Sequence, residues 1–245
     1  MTVVNPRVEA LEHSEDYKDR RDLMDDLMCL HKEKPEFNQR YAVNMVQTNF
    51  GGGHETVSSA MVSTIFFLTQ HPRVMKRVYE EVSALGEAPS IDECANLKYT
   101  QACIKEAMRL VPVIAMNLPR VNPQAGFEVN GYYFPPGTVV GCNPWALHRN
   151  TSVFGEDAAE FRPERWLDSS SEKLKAMERT NISFGGDSRT CPGRNLAELI
   201  LGKTIPVLVR DFAIETFVSK DIEDMKYCFM SILTEVEARF VPRVE

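Results

Sequence analysis

Apolar residues recur at helical spacing along the first half of the chain. Between Tyr41 and Gln70 they fall three or four positions apart, which predicts one long helix. The dipeptide His71-Pro72 ends this helix, and Pro72 can open the next one, predicted over Arg73–Leu85. A third helix is predicted over about Thr100–Leu110.

Strand patterns dominate the second half. Residues Phe127–Phe134 alternate around Asn130-Gly131, a strong signal for a β-hairpin. The other elements predicted here are a strand over Thr138–Cys142, a helical stretch near Glu172–Arg179, a helix over Asn195–Asp211 with a kink at Pro206, and strands over Phe212–Val218, Tyr227–Leu233 and Val236–Val241. Helices first and strands later, without β-α-β alternation, indicate an α+β fold that is mainly α-helical.

The first 36 residues differ from the rest of the chain. They are polar and rich in charge, and only Leu23 to Leu30 show helical spacing of apolar residues, which predicts a short amphipathic helix. We therefore divide the chain into an N-terminal segment, 1–36, and a larger domain, 37–245.

Composition narrows the functional classes. The 245 residues include 28 Lys and Arg against 35 Asp and Glu, a net charge of −7, which argues against a nucleic-acid-binding surface. No apolar run approaches the roughly 18 residues that cross a bilayer, and no secretory signal or membrane anchor is visible at the N-terminus. The six cysteines show no C-x-x-C spacing, which argues against a structural zinc site and predicts reduced thiols.

Three consecutive glycines interrupt the long helix. Gly51–Gly53 cost roughly 2.5–3 kcal/mol relative to alanine at these positions, so their presence requires a reason. Close helix packing is one explanation, and a groove for a flat ligand or a local opening of the helix beside a site is another. Glu55 and Thr56 follow directly, and an acid beside a hydroxyl can relay protons.

A charged pair lies within an apolar helix. Glu106 and Arg109 share a helical face among apolar neighbours, so partial burial is expected. A buried pair needs further donors and acceptors, so another arginine or main-chain groups should meet it. Residues Phe161–Trp166, which include Arg165, form by themselves only a charged meander broken by Pro163.

A glycine-rich loop carries the strongest candidate chemistry. The segment Phe184–Gly193 places Cys191 at the entry of the predicted helix, where the helix dipole and free N–H groups favour a thiolate. Arg189 adds positive charge. The cysteine is a nucleophile, the single protein ligand of a metal otherwise held by a macrocycle, or a buried loop residue.

Together these features resemble the cytochrome P-450 family of haem-thiolate monooxygenases. Phe184–Gly193 resembles the family's cysteine loop, F-x-x-G-x-R-x-C-x-G, with Asp187 in place of a glycine. Glu106–Arg109 resembles the E-x-x-R helix, and Arg165 is similar to the arginine that completes a structural triad with that pair. Gly52–Thr56 resembles the oxygen-activating stretch of the distal helix, A/G-G-x-D/E-T.

The resemblance implies a haem b cofactor and a role for each motif. Cys191 would be the axial iron ligand, and Phe184, Gly185 and Gly193 would surround the haem with it. Arg120 and Arg189 would pair with the propionates, while Glu55 and Thr56 would order water and deliver protons. Apolar substrate contacts would fall on Val113–Met116 and Phe229-Met230. The three histidines His54, His71 and His148 are expected to be structural or exposed.

The resemblance also implies partners and a location. Electrons would come from NADPH through a cytochrome reductase, the substrate would be a small hydrophobic molecule, and the enzyme would lie on the cytosolic face of the endoplasmic reticulum membrane. The match runs from about Asp22 to the C-terminus but corresponds only to the C-terminal half of a full member. We therefore expect a partial protein, in which a membrane anchor and several N-terminal elements have no counterpart.

Two other functions stay open. The first is a truncated, non-catalytic fragment that binds haem or acts through interactions. The second, more distant, is a hydrolase with a cysteine nucleophile, which lacks a histidine in a motif beside Cys191.

Overall fold

The computed structural model describes residues 23–34, 36–122, 125–218, 227–234 and 236–243. By their internal contacts the residues divide into two units, 1–55 and 56–245. The boundary expected at residue 36 stays a prediction.

The described part of the first unit is helical. Helix α1 covers Leu23–Glu33 and carries Asp25 and Asp26 in its first turn, where negative charge favours a helix. It includes the apolar positions that predicted a short helix. Near the end of this helix, His31 Nδ1 lies 2.6 Å from the carbonyl oxygen of Phe37, which is in the turn that precedes the next helix.

Two of the predicted helices follow each other almost without a loop. Helix α2 covers Gln39–Gln70, and its last residues belong to the second unit. Helix α3 covers Pro72–Val82 with proline in the first turn, where a missing N–H is tolerated. His71 lies between them, and its Nδ1 is 2.8 Å from the Phe67 carbonyl oxygen. Both helix predictions are confirmed.

The core of the second unit forms around one helix. Helix α4 covers Ile91–Ala95 and begins with a capping box between Ser90 and Glu93. Helix α5 covers Lys98–Leu110 and is buried along ten of its residues. The long C-terminal helix α9, Arg194–Asp211, packs against α3, α4 and α5 and contains Pro206.

Short strand pairs and helices connect these parts. Strands β1 (Arg120–Val121) and β4 (Val139–Val140) pair, as do β2 (Phe127–Val129) and β3 (Tyr132–Phe134), and β5 (Phe212–Val218) and β6 (Val236–Pro242). The shorter helices are α6 (Pro144–Leu147), α7 (Thr151–Phe154) and α8 (Ser171–Thr180), with 3₁₀ turns at Pro163–Trp166 and Asp187–Arg189.

The hairpin prediction is confirmed with its turn geometry. Asn130 and Gly131 have φ angles of 52° and 79°, as a two-residue turn between β2 and β3 requires. The strand expected over Thr138–Cys142 shortens to β4. The strand expected over Tyr227–Leu233 is wrong, because the described residues there make only one isolated bridge, between Met230 and Ile114.

None of the described helices combines the length and the apolar character that crossing a bilayer requires.

Candidate functional site

The Glu106 carboxylate is the centre of a buried network. Its two oxygens accept hydrogen bonds from Arg109 at 2.8 and 2.9 Å and from Arg165 Nε at 2.8 Å. Trp166 Nε1 donates to it at 2.8 Å and the main-chain N–H of Arg162 at 3.1 Å. The acid is 0% exposed, so each of these donors replaces lost water.

Both arginines of the network are fully satisfied. Arg109 uses its remaining N–H groups on the carbonyl oxygens of His148, Ala158 and Glu160, at 2.6, 2.7 and 3.2 Å. Arg165 donates to Asp157 and to main-chain oxygens in the segment 154–160. All five N–H groups of each guanidinium therefore have an acceptor, which makes burial of the charges tolerable.

Asp157 is a charged residue at the edge of this network. Burial raises the pKa of its carboxyl, but Arg165 and Arg162 lower it more, so the pKa lies below its ordinary value. Arg162 also forms an ion pair with Asp157. The structure thus brings Glu106, Arg109 and Arg165 together and adds Asp157 and Trp166, which the sequence motifs did not single out.

The cysteine loop lies at the start of α9. Its main chain is closed by two hydrogen bonds, from Gly185 N to the Ile182 oxygen and from Cys191 N to the Phe184 oxygen, both 2.8 Å. The Cys191 thiol is exposed, and a Cβ on Gly193 would lie 3.9 Å from its sulfur. The burial expected of an ordinary loop cysteine is therefore absent here.

The substituted position of the loop has a glycine conformation. Asp187 has a φ of 51°, in the left-handed region that disfavours most side chains. The 3₁₀ turn that it opens is held by Thr190, whose N–H and hydroxyl both donate to the Asp187 oxygen. Asp187, the position at which this loop differs from the F-x-x-G motif, therefore needs a glycine or a polar residue that can adopt a positive φ.

The segments expected to contact substrate are adjacent in the structure. Ala115 N donates to the Phe229 oxygen at 3.0 Å and Ser231 N to the Val113 oxygen at 2.9 Å. Met116 and Phe229 are 44% and 53% exposed, which makes this an open apolar surface.

The same segments reach the helix that carries Thr56. Ser59 lies one turn after Thr56, on the same helical face, and its hydroxyl donates to the Ser231 oxygen. Thr56 itself is half-buried. Ser59 therefore joins this helix to the segment that follows Phe229.

The helix is continuous through Gly51–Gly53, so the expected local opening is not found. A Cβ on any of the three would meet no described atom within 4 Å. Glu55 and His54 are exposed, and the His54 ring stacks on Phe50.

Comparison with known proteins gives the family. A sequence model of the cytochrome P-450 family matches residues 2–240. The cytochrome P-450 monooxygenase sdnT of Sordaria araneosa is 46% identical over 91% of this chain and 43% of its own. The chain belongs to the cytochrome P-450 family.

Further relatives agree with this assignment. A pisatin demethylase of Fusarium vanettenii is 34% identical over 98% of this chain and 47% of its own length. The crystal structure of another cytochrome P-450 superposes with a TM-score of 0.79 at 23% identity, covering 98% of this chain and 54% of that one, which shows the fold. The chain spans less than half the length of these curated relatives.

The residues of this cytochrome P-450 fit a haem. Among the described residues no three His, Cys, Asp or Glu side chains cluster to hold a metal ion. The Cys191 thiol is exposed, so it is available as the single protein ligand of a metal held mainly by a macrocycle. Leu196, in the first turn of α9, is 62% exposed and offers apolar surface near that thiol. Cys191, with Gly193 beside its sulfur, would hold such a group.

The two candidate propionate partners differ in their local contacts. Arg120, in β1, is exposed and donates from Nη1 to the Pro119 oxygen at 3.0 Å. Arg189 is exposed at the end of the 3₁₀ turn, two residues before Cys191. Phe184 contacts the guanidinium of Arg194, 5.4 Å from its ring centre.

A cavity of about 690 Å³ lies between α5 and α9. Phe184, Gly185 and Arg194 contribute to its wall, whereas Cys191 does not. The cavity therefore adjoins the cysteine loop without including the candidate iron ligand.

His148 is a buried residue near the cysteine loop, and the sequence predicted for it only a structural or exposed position. His148 follows α6, is 0% exposed, and uses both ring nitrogens in hydrogen bonds. The sequence around it, Ala146-Leu147-His148-Arg149-Asn150, shows no ligand spacing, so only the structure reveals its partners.

Removal of the buried acid should destabilise the protein strongly. Glu106→Ala leaves two buried guanidinium groups without their carboxylate, and we expect the free energy of unfolding to fall by about 3–5 kcal/mol. Urea unfolding followed by circular dichroism measures this. Glu178→Ala is the control, because it removes an exposed ion pair with Lys105 and should cost under about 1 kcal/mol. Equal losses in the two variants would contradict the network's role.

A glycine at the substituted loop position should stabilise the fold. Asp187→Gly relieves the left-handed conformation, and we expect the free energy of unfolding to rise by about 0.5–1 kcal/mol. Ser188→Gly, in the same turn but without a positive φ, should instead lower it. If Asp187→Gly is no more stable than Ser188→Gly, the side chain at 187 makes a compensating interaction.

Proposed function

We propose that this chain carries the oxygen-activating and thiolate-bearing portion of a haem-thiolate monooxygenase. The reaction inserts one oxygen atom of O₂ into a small hydrophobic organic substrate, with electrons from NADPH delivered by a cytochrome reductase. The observation that carries this proposal is the exposed Cys191 thiol in a closed loop at the entry of α9. Family membership supports the same chemistry.

Cys191 would act as the axial ligand of haem b. When bound, the haem supplies redox-active iron, and a thiolate ligand donates electron density that favours O–O cleavage. Phe184 and Gly193 flank the cysteine, and main-chain N–H groups after it would moderate the charge on sulfur. Arg120 and Arg189 are exposed and would pair with the two propionates.

Glu55 and Thr56 would handle protons on the other side of the site. The Thr56 hydroxyl both donates and accepts, so it can hold a water molecule and pass a proton through Oγ1. Glu55 precedes it, is exposed, and can take protons from solvent. The open space along Gly51–Gly53 leaves the backbone of this helix accessible to small molecules.

The substrate surface would combine the segments around Val113–Met116 and Phe229-Met230. The exposed Met116 and Phe229 side chains are apolar, and main-chain hydrogen bonds fix their relative positions. Such a surface selects a hydrophobic molecule of small size. A location on the cytosolic face of the endoplasmic reticulum membrane, common in the family, belongs to the same proposal.

A non-catalytic role is the second candidate. In this case the polypeptide would bind haem or a partner without turning over a substrate. Product formation by the haem-loaded chain separates the two candidates.

Replacement of the thiol should abolish the spectrum of thiolate ligation. The reduced protein with carbon monoxide should show a strongly red-shifted Soret band, and Cys191→Ser should lose it because a neutral oxygen is a weaker donor. Absorption spectroscopy of the haem-reconstituted chain measures this. Cys142→Ser and Cys228→Ser are controls, since both thiols are exposed, and should keep the band. A red-shifted band in Cys191→Ser would show that another residue ligates the iron.

Loss of the threonine hydroxyl should uncouple oxygen reduction from product formation. Thr56→Ala should keep haem and substrate binding but divert electrons to hydrogen peroxide, because protons no longer arrive through Oγ1. The ratio of product to NADPH consumed measures the effect, with Ser58→Ala as the control on the same helix. Equal coupling in all three proteins removes the proton-relay role. Haem binding without any product in wild type supports the non-catalytic candidate.

A further inference from the structure

His148 bonds to two parts of the molecule through its ring. Nδ1 lies 3.0 Å from the main-chain oxygen of Arg109, and Nε2 lies 2.9 Å from the main-chain nitrogen of Ile182. A carbonyl oxygen can only accept and a backbone N–H can only donate. The ring is therefore neutral, with its proton on Nδ1 and a free lone pair on Nε2 that accepts from Ile182.

One of these parts is the Glu106 network. Besides the ring contact, the main-chain oxygen of His148 accepts a hydrogen bond from Arg109 Nη1 at 2.6 Å. Arg109 is held in turn by both oxygens of Glu106. His148 is thus bound to Arg109 through its main chain and its side chain, and its position is fixed by charged groups that are 0% exposed.

The other part is the base of the cysteine loop. Ile182, whose N–H bonds to His148, accepts from Gly185 N through its own carbonyl oxygen at 2.8 Å. The next link, from Cys191 N to the Phe184 oxygen, is also 2.8 Å. Hydrogen bonds, joined by the main chain of Ile182, therefore link Arg109 through His148 to the residue that carries the thiol.

We propose that His148 is a positioning residue that holds the cysteine loop on the Glu106 network and thereby fixes Cys191 for iron ligation. Its essential group is the Nε2 lone pair. The ligation part rests on the proposed function, whereas the attachment of the loop does not.

The environment of His148 favours the neutral ring that this role requires. Burial lowers its pKa to about 4, with the nearby positive charges of Arg109 and Arg149 acting in the same direction and the Arg109 carbonyl opposing them. The unfolded chain takes up a proton near the ordinary value of 6.5. Stability from the neutral ring is therefore present above pH 6.5 and declines as the pH falls towards 4.

Two amide substitutions separate the two ring nitrogens. In His148→Gln the side-chain oxygen is as many bonds from Cβ as Nε2, so it can accept from Ile182 N. In His148→Asn the amide lies at the Nδ1 position, so it can donate to the Arg109 oxygen but cannot reach Ile182. Each variant loses one hydrogen bond, and a merely structural histidine would tolerate both equally.

The first measurement is hydrogen exchange of the backbone amides in the haem-free chain. We expect exchange of the Ile182 and Cys191 amides to accelerate at least tenfold in His148→Asn and to stay within about threefold of wild type in His148→Gln. Equal acceleration in both variants, or in neither, overturns the proposal. This measurement does not depend on haem, so it stands even if the function proposed above fails.

The second measurement is the Soret band of the reduced, carbon-monoxide-bound protein. We expect His148→Gln to keep the red-shifted band and His148→Asn to lose most of it at neutral pH. Loss of the band in neither variant, while wild type shows it, overturns the positioning role. Absence of the band in wild type instead contradicts the assignment of Cys191 as ligand.

A third variant tests the same bond from its other end in case His148→Asn does not fold. Ile182→Pro removes the donor and leaves His148 intact, and Asn181 has the extended backbone that a residue before proline requires. We expect it to expose the Cys191 amide and to lose the band, with Ile182→Val as the control. A proline variant that behaves like the valine variant overturns the proposal.

Discussion

The buried carboxylate of Glu106 is the constraint on which the rest of the second unit depends. A fully desolvated charge is tolerated only when every lone pair has a donor, and here the donors come from α5, from the 3₁₀ turn at Pro163–Trp166 and from the main chain between them. Satisfying this one side chain therefore fixes the path of a long irregular segment. The helices supply the apolar core, but the acid determines how the loops lie against it.

Much of the helical architecture could be predicted from the sequence because it follows from local pattern. Helices α2 and α3, the hairpin of β2 and β3, and strand β5 lie close to their expected bounds. The segment Tyr227–Leu233 was misassigned as a strand, since its apolar residues are held by separate main-chain bonds to 113–115 and not by a strand partner along their length. The spacing of apolar residues predicts which side chains are buried, but it does not predict which residues they contact.

In the candidate site, too, the sequence pattern predicts some residues but not their long-range contacts. The motifs singled out Glu106, Arg109 and Arg165, and the structure brings them together, because a buried i, i+3 pair demands another donor. Nothing local distinguishes His148, whose two partners lie 39 and 34 positions away in the chain. Its role depends on the simultaneous approach of three segments, which is a property of the folded chain alone.

The attachment of the segment around Phe229 has a consequence for how the exposed surface around it can change. Its bonds to Val113 and Ala115 run between main-chain atoms, so they do not depend on which side chains stand at Met116 or Phe229. Substitutions at these exposed positions can change the shape of the apolar surface while the backbone that presents it stays in place. Selection can therefore alter the shape of this surface without first eroding the stability of the fold.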